Sequence, residues 1–228
     1  MKLFIKLIAL IGISFFTFSG CAINQPEPKQ ANTLIQDMSL LKQSPNDKDT
    51  LYYIDKDTDF NSYNNLKINP VTILTDLNKK YIDEKLIKDV SEYFNEKLKK
   101  EMSPIYKNSG KNLNSLAMSI TIVSIEASYD DLKIYQYLPY GLAFTALKRG
   151  SGFEKRKIRT SLALKIYDVQ TLKTLVLVVD KEDSGDVEDI ENISLKNVKP
   201  SLDRWAVRYK QRLIELKQGK YKKYLTQE

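Results

Sequence analysis

The chain has no histidine and one cysteine, Cys21. Without imidazole it lacks the commonest general base and the commonest metal ligand. Serines are present, but no G-x-S-x-G elbow or S-x-x-K phrase sets one beside a base. Two carboxylates suffice to cleave a glycosidic bond, yet nothing singles out a pair among 29 acidic residues. The segment Asp180–Glu191 (DKEDSGDVEDIE) shadows a calcium loop, with Glu182 at position three, Ser184 at five, Gly185 at six and Glu191 at twelve. Glutamate is a poor third ligand, and a strand rather than a helix is expected before it. The segment therefore reads as a solvated acidic connection. No metal site, no cofactor and no catalytic residue is expected, and the chain reads as a non-enzyme.

Positive charge is more concentrated. Lys148, Arg149, Lys155, Arg156, Lys157 and Arg159 fall within KRGSGFEKRKIR. Such a cluster suits an anionic partner, a phosphate-bearing lipid or an acidic protein face, each charge adding ~1 kcal/mol near an anionic surface. The plain alternative is a solvated loop and strand edge. Lys217, Lys220, Lys222 and Lys223, with Tyr221 and Tyr224 between them, form a second basic group that reads as a frayed helix end. Tyr135, Tyr137, Tyr140 and Phe144 read as core, with a ligand groove as the alternative.

Cys21 has a different context. Met1, Lys2 and Lys6 make a basic start, Leu7 to Phe18 is an uncharged apolar run, and small Ser19 and Gly20 follow. That is the layout of a secretory signal. The run is short of the roughly 20 residues that a spanning helix needs. Ser19-Gly20-Cys21 resembles a lipobox, in which the cysteine sulfur becomes a thioether to lipid; Phe18 stands where leucine is usual. A cleavable signal with an incidental cysteine is the alternative. Lipidation explains why an exported chain would carry one lone thiol. The expected organisation is a lipoprotein signal peptide over 1–20, lipidated Cys21 with a polar tether over 21–32, and a single domain over 33–228. The tether residues 22–32 extend to roughly 35 Å. The mature chain keeps 208 residues and a charge of +5 once Lys2 and Lys6 are gone. An envelope address makes nucleic acid a poor partner and favours anionic lipid, an envelope polymer or an envelope protein. Ala22 after the cysteine resembles outer-membrane sorting, so the expected place is the outer membrane, facing the periplasm.

The elements that carry these residues follow from periodicity. Thr50–Ile54 predicts a short strand, and Leu66–Leu74 an edge strand around Pro70. Tyr81 to Met102 repeats apolar residues every three or four positions (Ile82, Leu86, Val90, Tyr93, Phe94, Leu98), which predicts a helix ended by Pro104. Leu116–Ile125 alternates as a half-buried strand. Tyr135–Leu147 predicts a turn and short helix. Ile158–Ile166 and Thr174–Asp180 predict a hairpin closed at Asp168–Lys173. Leu202, Trp205, Ala206, Tyr209, Leu213 and Leu216 predict a final helix with Pro200 near its first turn. The fold class is α+β, a mostly antiparallel sheet with two main amphipathic helices packed on one face.

Four phrases in this order resemble the domain of unknown function 3313 family of Gram-negative lipoproteins. They are Asp37-Met38-Ser39-Leu40-Leu41, where the family has D-Y-S-x-L; Phe60, Tyr63 and Asn69-Pro70-Val71; Ile166-Tyr167-Asp168 with Thr171; and Leu202-Asp203-Arg204-Trp205-Ala206. Met38 replaces a tyrosine, and Leu172 stands where a turn glycine is common. The likeness spans roughly Thr33 to Glu215. It implies an envelope lipoprotein and carries over no catalytic residue. The function expected is a non-enzymatic binding or accessory module of the cell envelope; the alternative is a carboxylate-dependent hydrolase of peptidoglycan or another envelope glycan.

Overall fold

The computed structural model describes residues 38–45, 47–74, 82–106, 114–128, 156–187 and 193–221. The signal, Cys21, the tether and the segment Tyr135–Leu147 lie outside the described residues.

Seven strands form one sheet among the described residues. They are β1 (Lys42–Gln43), β2 (Thr50–Ile54), β3 (Asn65–Ile68), β4 (Thr72–Ile73), β5 (Ser115–Ser128), β6 (Arg156–Asp168) and β7 (Thr174–Val187). Their order is β1-β2-β7-β6-β5-β3, with β4 also beside β5. All pairs are antiparallel except β3 and β4, which both run parallel to β5. Two helices, α1 (Glu84–Met102) and α2 (Leu195–Lys217), pack against each other and over one face. The α+β expectation holds.

The alternation read in β5 decides which face is the core. Leu116, Met118, Ile120 and Ile122 are buried under the helices, in register with Asp168, Ile166, Leu164 and Leu162. A bulge between Ile122 and Ser124 shifts the phase, so Ile125 returns to the core instead of Ser124. On the opposite face, Ala163 and Val179 form a small cluster with Leu41, Leu51 and Val123.

The expected strand over Leu66–Leu74 is two strands. Pro70 has no N–H to donate, and Asn69-Pro70 breaks the ladder. The break is pinned rather than loose. Asn69 Nδ2 donates to Ser119 Oγ (2.9 Å) and to Tyr167 Oη (3.0 Å). Val71 N donates to Asn95 Oδ1 of α1 at 3.0 Å.

Helix α1 starts where Asp83 accepts from Leu86 N at 2.7 Å. Its inner face is Leu86, Val90, Phe94, Leu98 and Met102, all buried. Helix α2 begins earlier than expected, so Pro200 falls inside it rather than in its first turn. Trp205 and Phe94 are fully buried, with ring centroids 6.4 Å apart. Each such side chain contributes about 1.5–3 kcal/mol by leaving water.

Two other expectations need correcting. Strand β7 does not stop at Asp180 but continues to Val187, so the acidic segment as far as Val187 is strand, not loop. Nor is the chain frayed as far as Tyr221, which is buried, edge-on to Phe60 at 5.4 Å, with its hydroxyl donating to Thr58 O at 2.9 Å; Lys222, Lys223 and Tyr224 lie outside the described residues. Lys217 Nζ donates to Tyr63 O (2.6 Å) and sits 4.8 Å from the Tyr106 ring centroid. Burial lowers its pKa despite Asp59 nearby. Among the described residues no helix is long and apolar enough to cross a membrane.

Candidate functional site

In a strand, successive side chains point to opposite faces. In β7 this sends Asp180 and Glu182 towards α2 and Lys181 and Asp183 to the other side. Strand β2 covers β7 only as far as Asp180, which pairs with Thr50. Beyond that point a cleft of about 370 Å³ opens, lined by Asp47, Asp49, Arg159, Lys181, Glu182, Asp183 and Arg204.

Paired charges line the cleft, and Asp180, next in sequence to its Lys181, joins them to α2. Asp180 is 1% exposed. One of its carboxylate oxygens accepts from Trp205 Nε1 (3.0 Å) and Arg208 Nη1 (2.6 Å). Arg208 also donates to Glu182 Oε1 through its other terminal nitrogen. Arg204 Nε donates to Glu182 Oε2 at 2.8 Å, and its Nη2 to the carbonyl of Asp183 at 2.5 Å. Arg159 grips Asp183 with two donors, Nε at 2.7 Å and Nη2 at 3.0 Å. Lys181 Nζ reaches Asp49 at 2.8 Å.

Burial and pairing pull the two aspartates apart. At Asp180 desolvation outweighs its donors and raises the carboxyl above the ordinary aspartate range. At Asp183 burial also opposes ionisation, but the Arg159 fork wins and holds the carboxyl below that range. What the cleft can do chemically is present fixed charges of both signs to a polar ligand. A glycan-cleaving acid pair would need one carboxyl free to protonate a leaving group, whereas Glu182 and Asp183 are committed to arginines. Among the described residues no group of three or more metal-binding side chains could hold an ion, and the calcium-loop positions Glu182 and Ser184 face other partners. Glu182 binds Arg204 and Arg208, and the Ser184 hydroxyl bonds that of Ser201.

The basic cluster fares unevenly. Lys148, Arg149 and Lys155 lie outside the described residues, as does Cys21. Arg156 is the first residue of β6, and Lys157 is exposed. Arg159 is 4% exposed and engaged by Asp183, which the register of β6 and β7 sets directly opposite it. It adds nothing to an exposed basic patch. The cleft itself was missed in the sequence. A signal for it existed: Asp180 and Glu182 two apart on a strand, and Arg204 and Arg208 four apart on one helix face, flanking Trp205.

Three solved structures are similar in outline. A chain of a PelC dodecamer from Paraburkholderia phytofirmans, carrying a leucine-to-methionine substitution, matches at 6% identity, covering 69% of this chain and 93% of that chain, with a TM-score of 0.37. A putative neuraminyllactose-binding hemagglutinin homolog from Helicobacter pylori matches at 14% identity, over 72% and 90%, with a TM-score of 0.37. The hypothetical protein CT253 from Chlamydia trachomatis matches at 11% identity, over 73% and 99%, with a TM-score of 0.34. No curated protein matches the sequence. The model of the family described as "Protein of unknown function (DUF3313)" matches residues 30–209, and the chain belongs to that family.

Proposed function

We propose that the chain is a lipid-anchored module of the cell envelope, held by Cys21 at the outer membrane with its domain facing the periplasm, and that it acts by binding. The observation that carries the attachment is the lone Cys21 behind Ser19-Gly20 and an uncharged apolar run. A second lipid chain makes such anchoring stable, so the protein surface is left free for a partner. What supports binding over catalysis is the commitment of the cleft's Glu182, Asp183 and Asp49 to Arg204, Arg208, Arg159 and Lys181. The partner is an envelope protein or an anionic envelope polymer, met by Lys157 with Lys148, Arg149, Lys155 and Arg156 close to it in sequence.

Metabolic labelling with a fatty acid tests the anchor. The native chain takes up label and fractionates with the outer membrane, whereas Cys21→Ser stays unlabelled and leaves that fraction. Equal labelling of both would sink the proposal. The second reading, glycan hydrolysis, rests on four carboxylates lining one cleft. Release of soluble fragments from purified peptidoglycan by the native chain, lost in Asp183→Asn, would favour it over binding.

A further inference from the structure

The hydroxyl of Thr50, at the start of β2, lies 3.0 Å from Asp47 Oδ2 and 3.0 Å from Asp180 Oδ1. A threonine hydroxyl has one hydrogen to give, and an ionised carboxylate only accepts. Both contacts are full two-centre hydrogen bonds only when a second hydrogen sits on one of the two carboxyls; otherwise the one hydrogen is split between two acceptors in a weaker, bifurcated bond. The remaining oxygens are already engaged. Asp47 Oδ1 accepts from Asp49 N at 2.9 Å, and Asp180 Oδ2 accepts from Trp205 and Arg208.

We infer that Asp47, Thr50 and Asp180 hold one shared proton, and that they form a clasp between the β1–β2 hairpin and β7 that tightens on mild acidification. Without that proton, two carboxylates compete for one hydrogen, and each contact is weaker than a full hydrogen bond. The clasp sits at the edge of the cleft, so it fixes the position of Asp47 and Asp49 on the cleft wall.

The charges around it are accounted for element by element. On the loop before β2, Lys48 is exposed and Asp49 is paired with Lys181 of β7. Also on β7, Glu182 is bound by two arginines of α2, Arg204 and Arg208. On α2, Arg208 touches Asp180 itself, and Tyr209 is held far above its usual range by burial, so it stays a neutral phenol. On β6, Arg159 is engaged by Asp183. Arg208 favours ionisation of Asp180, but burial outweighs it and pushes the carboxyl up. A folded carboxyl raised above its unfolded value binds a proton on folding. Its contribution is therefore complete below the ordinary aspartate value of 3.8 and fades as pH rises through the folded value.

Asp47→Asn supplies the missing hydrogen permanently. Its amide oxygen still accepts from Asp49 N, its amide N–H donates to Thr50 Oγ1, and Thr50 donates on to Asp180. In urea unfolding of the full chain at pH 7, the variant's unfolding constant should fall about three- to tenfold relative to the native chain, the worth of one regained hydrogen bond. That gain should close as the pH falls towards 4. A loss of stability at pH 7, or a gain that does not change with pH, overturns the clasp. In a Thr50→Val background the Asp47→Asn effect should lose its pH dependence; persistence there also overturns it. Carboxyl carbon-13 titration of the native chain gives an independent reading. Asp180 should titrate above the ordinary aspartate range, and the inference fails when it titrates within or below it.

Discussion

Asp168 and Asp180 belong to the same hairpin and behave in opposite ways. Asp168 closes the β6–β7 turn. Its Oδ1 accepts from Gln170 N (2.8 Å), Thr171 N (2.7 Å) and Thr171 Oγ1 (3.0 Å), and its Oδ2 accepts from the Tyr63 hydroxyl (2.8 Å). Burial works against its charge, but these donors outweigh burial and lower its pKa. Asp180 has an arginine beside it, and still burial wins and its pKa rises. The difference teaches that a neighbouring cation does less for a buried carboxylate than backbone N–H groups do for a half-exposed one. The turn is a closed knot of local bonds whose job is to set register. The far end of β7 is a set of long-range charge pairs next to open space, and that is where a ligand could change something.

Removing the cation should expose the contrast most strongly. Arg208→Ala leaves Asp180 buried with Trp205 and Thr50 as its only donors among the described residues. Breaking a fully buried pair costs about 3–5 kcal/mol. Arg208 is itself 35% exposed, so a loss of about 2–3 kcal/mol in urea unfolding at pH 7 is expected. The penalty should shrink as pH falls, because the stranded carboxyl takes up a proton and a raised folded pKa favours the folded state in acid. A penalty that grows in acid would show that Asp180 is ionised and held by Arg208 alone.

Asp168→Asn should cost less and carry the opposite pH dependence. A carboxylate lowered in the folded state contributes stability above its unfolded value of 3.8, and loses it as pH falls through the folded value. An amide accepts through one oxygen only, so the Tyr63 bond or part of the turn cap is given up. The expected loss is about 1–2 kcal/mol at pH 7, measured by urea unfolding, and it should shrink as the pH falls below the unfolded value of 3.8. The Tyr63 hydroxyl reports the same bond. Burial and the Asp168 charge push it up to about 12, and in the variant its ultraviolet titration should move back towards 10.

Much of this was legible in the residues. Periodicity places α1, β5 and the β6–β7 hairpin, since each must bury one face and so repeats at the period of its own geometry. The family phrases turn out to mark fixing points. Asn69 ties the Pro70 break to Ser119 and Tyr167, and Asp168 caps the turn. Asp203 accepts from the Tyr93 hydroxyl at 2.6 Å, joining α2 to α1. Arg204 and Trp205 anchor α2 on β7. What was not legible depends on pairing across sequence. Asp180–Glu191 reads as a loop because acids are rare in strands; its part up to Val187 is strand, with Asp180 and Glu182 held by arginines of a helix that follows later in the chain. Arg159 reads as surface charge because its partner, Asp183, is found only by knowing the register. The parallel course of β3 and β4 is likewise hidden, as local alternation does not encode direction.

The smallest effect concerns Leu172, in the turn between β6 and β7. Its φ is 59°, the left-handed region, and its side chain is 69% exposed. For a residue with a Cβ that conformation costs roughly 1–2 kcal/mol, and so exposed a leucine recovers little by burial. The turn holds it in place: Asp168 caps the two preceding residues, and Leu172 N donates to Asp168 O at 2.9 Å. Leu172→Gly relieves the strain, while the freer unfolded chain takes back about 0.4–1 kcal/mol. A net gain of about 0.5–1 kcal/mol is expected in urea unfolding, independent of pH because no charge is touched. A loss instead would mean that the leucine side chain, not the turn geometry, is what this position retains, and the knot at Asp168 would then join the cleft as a surface that does more than set register.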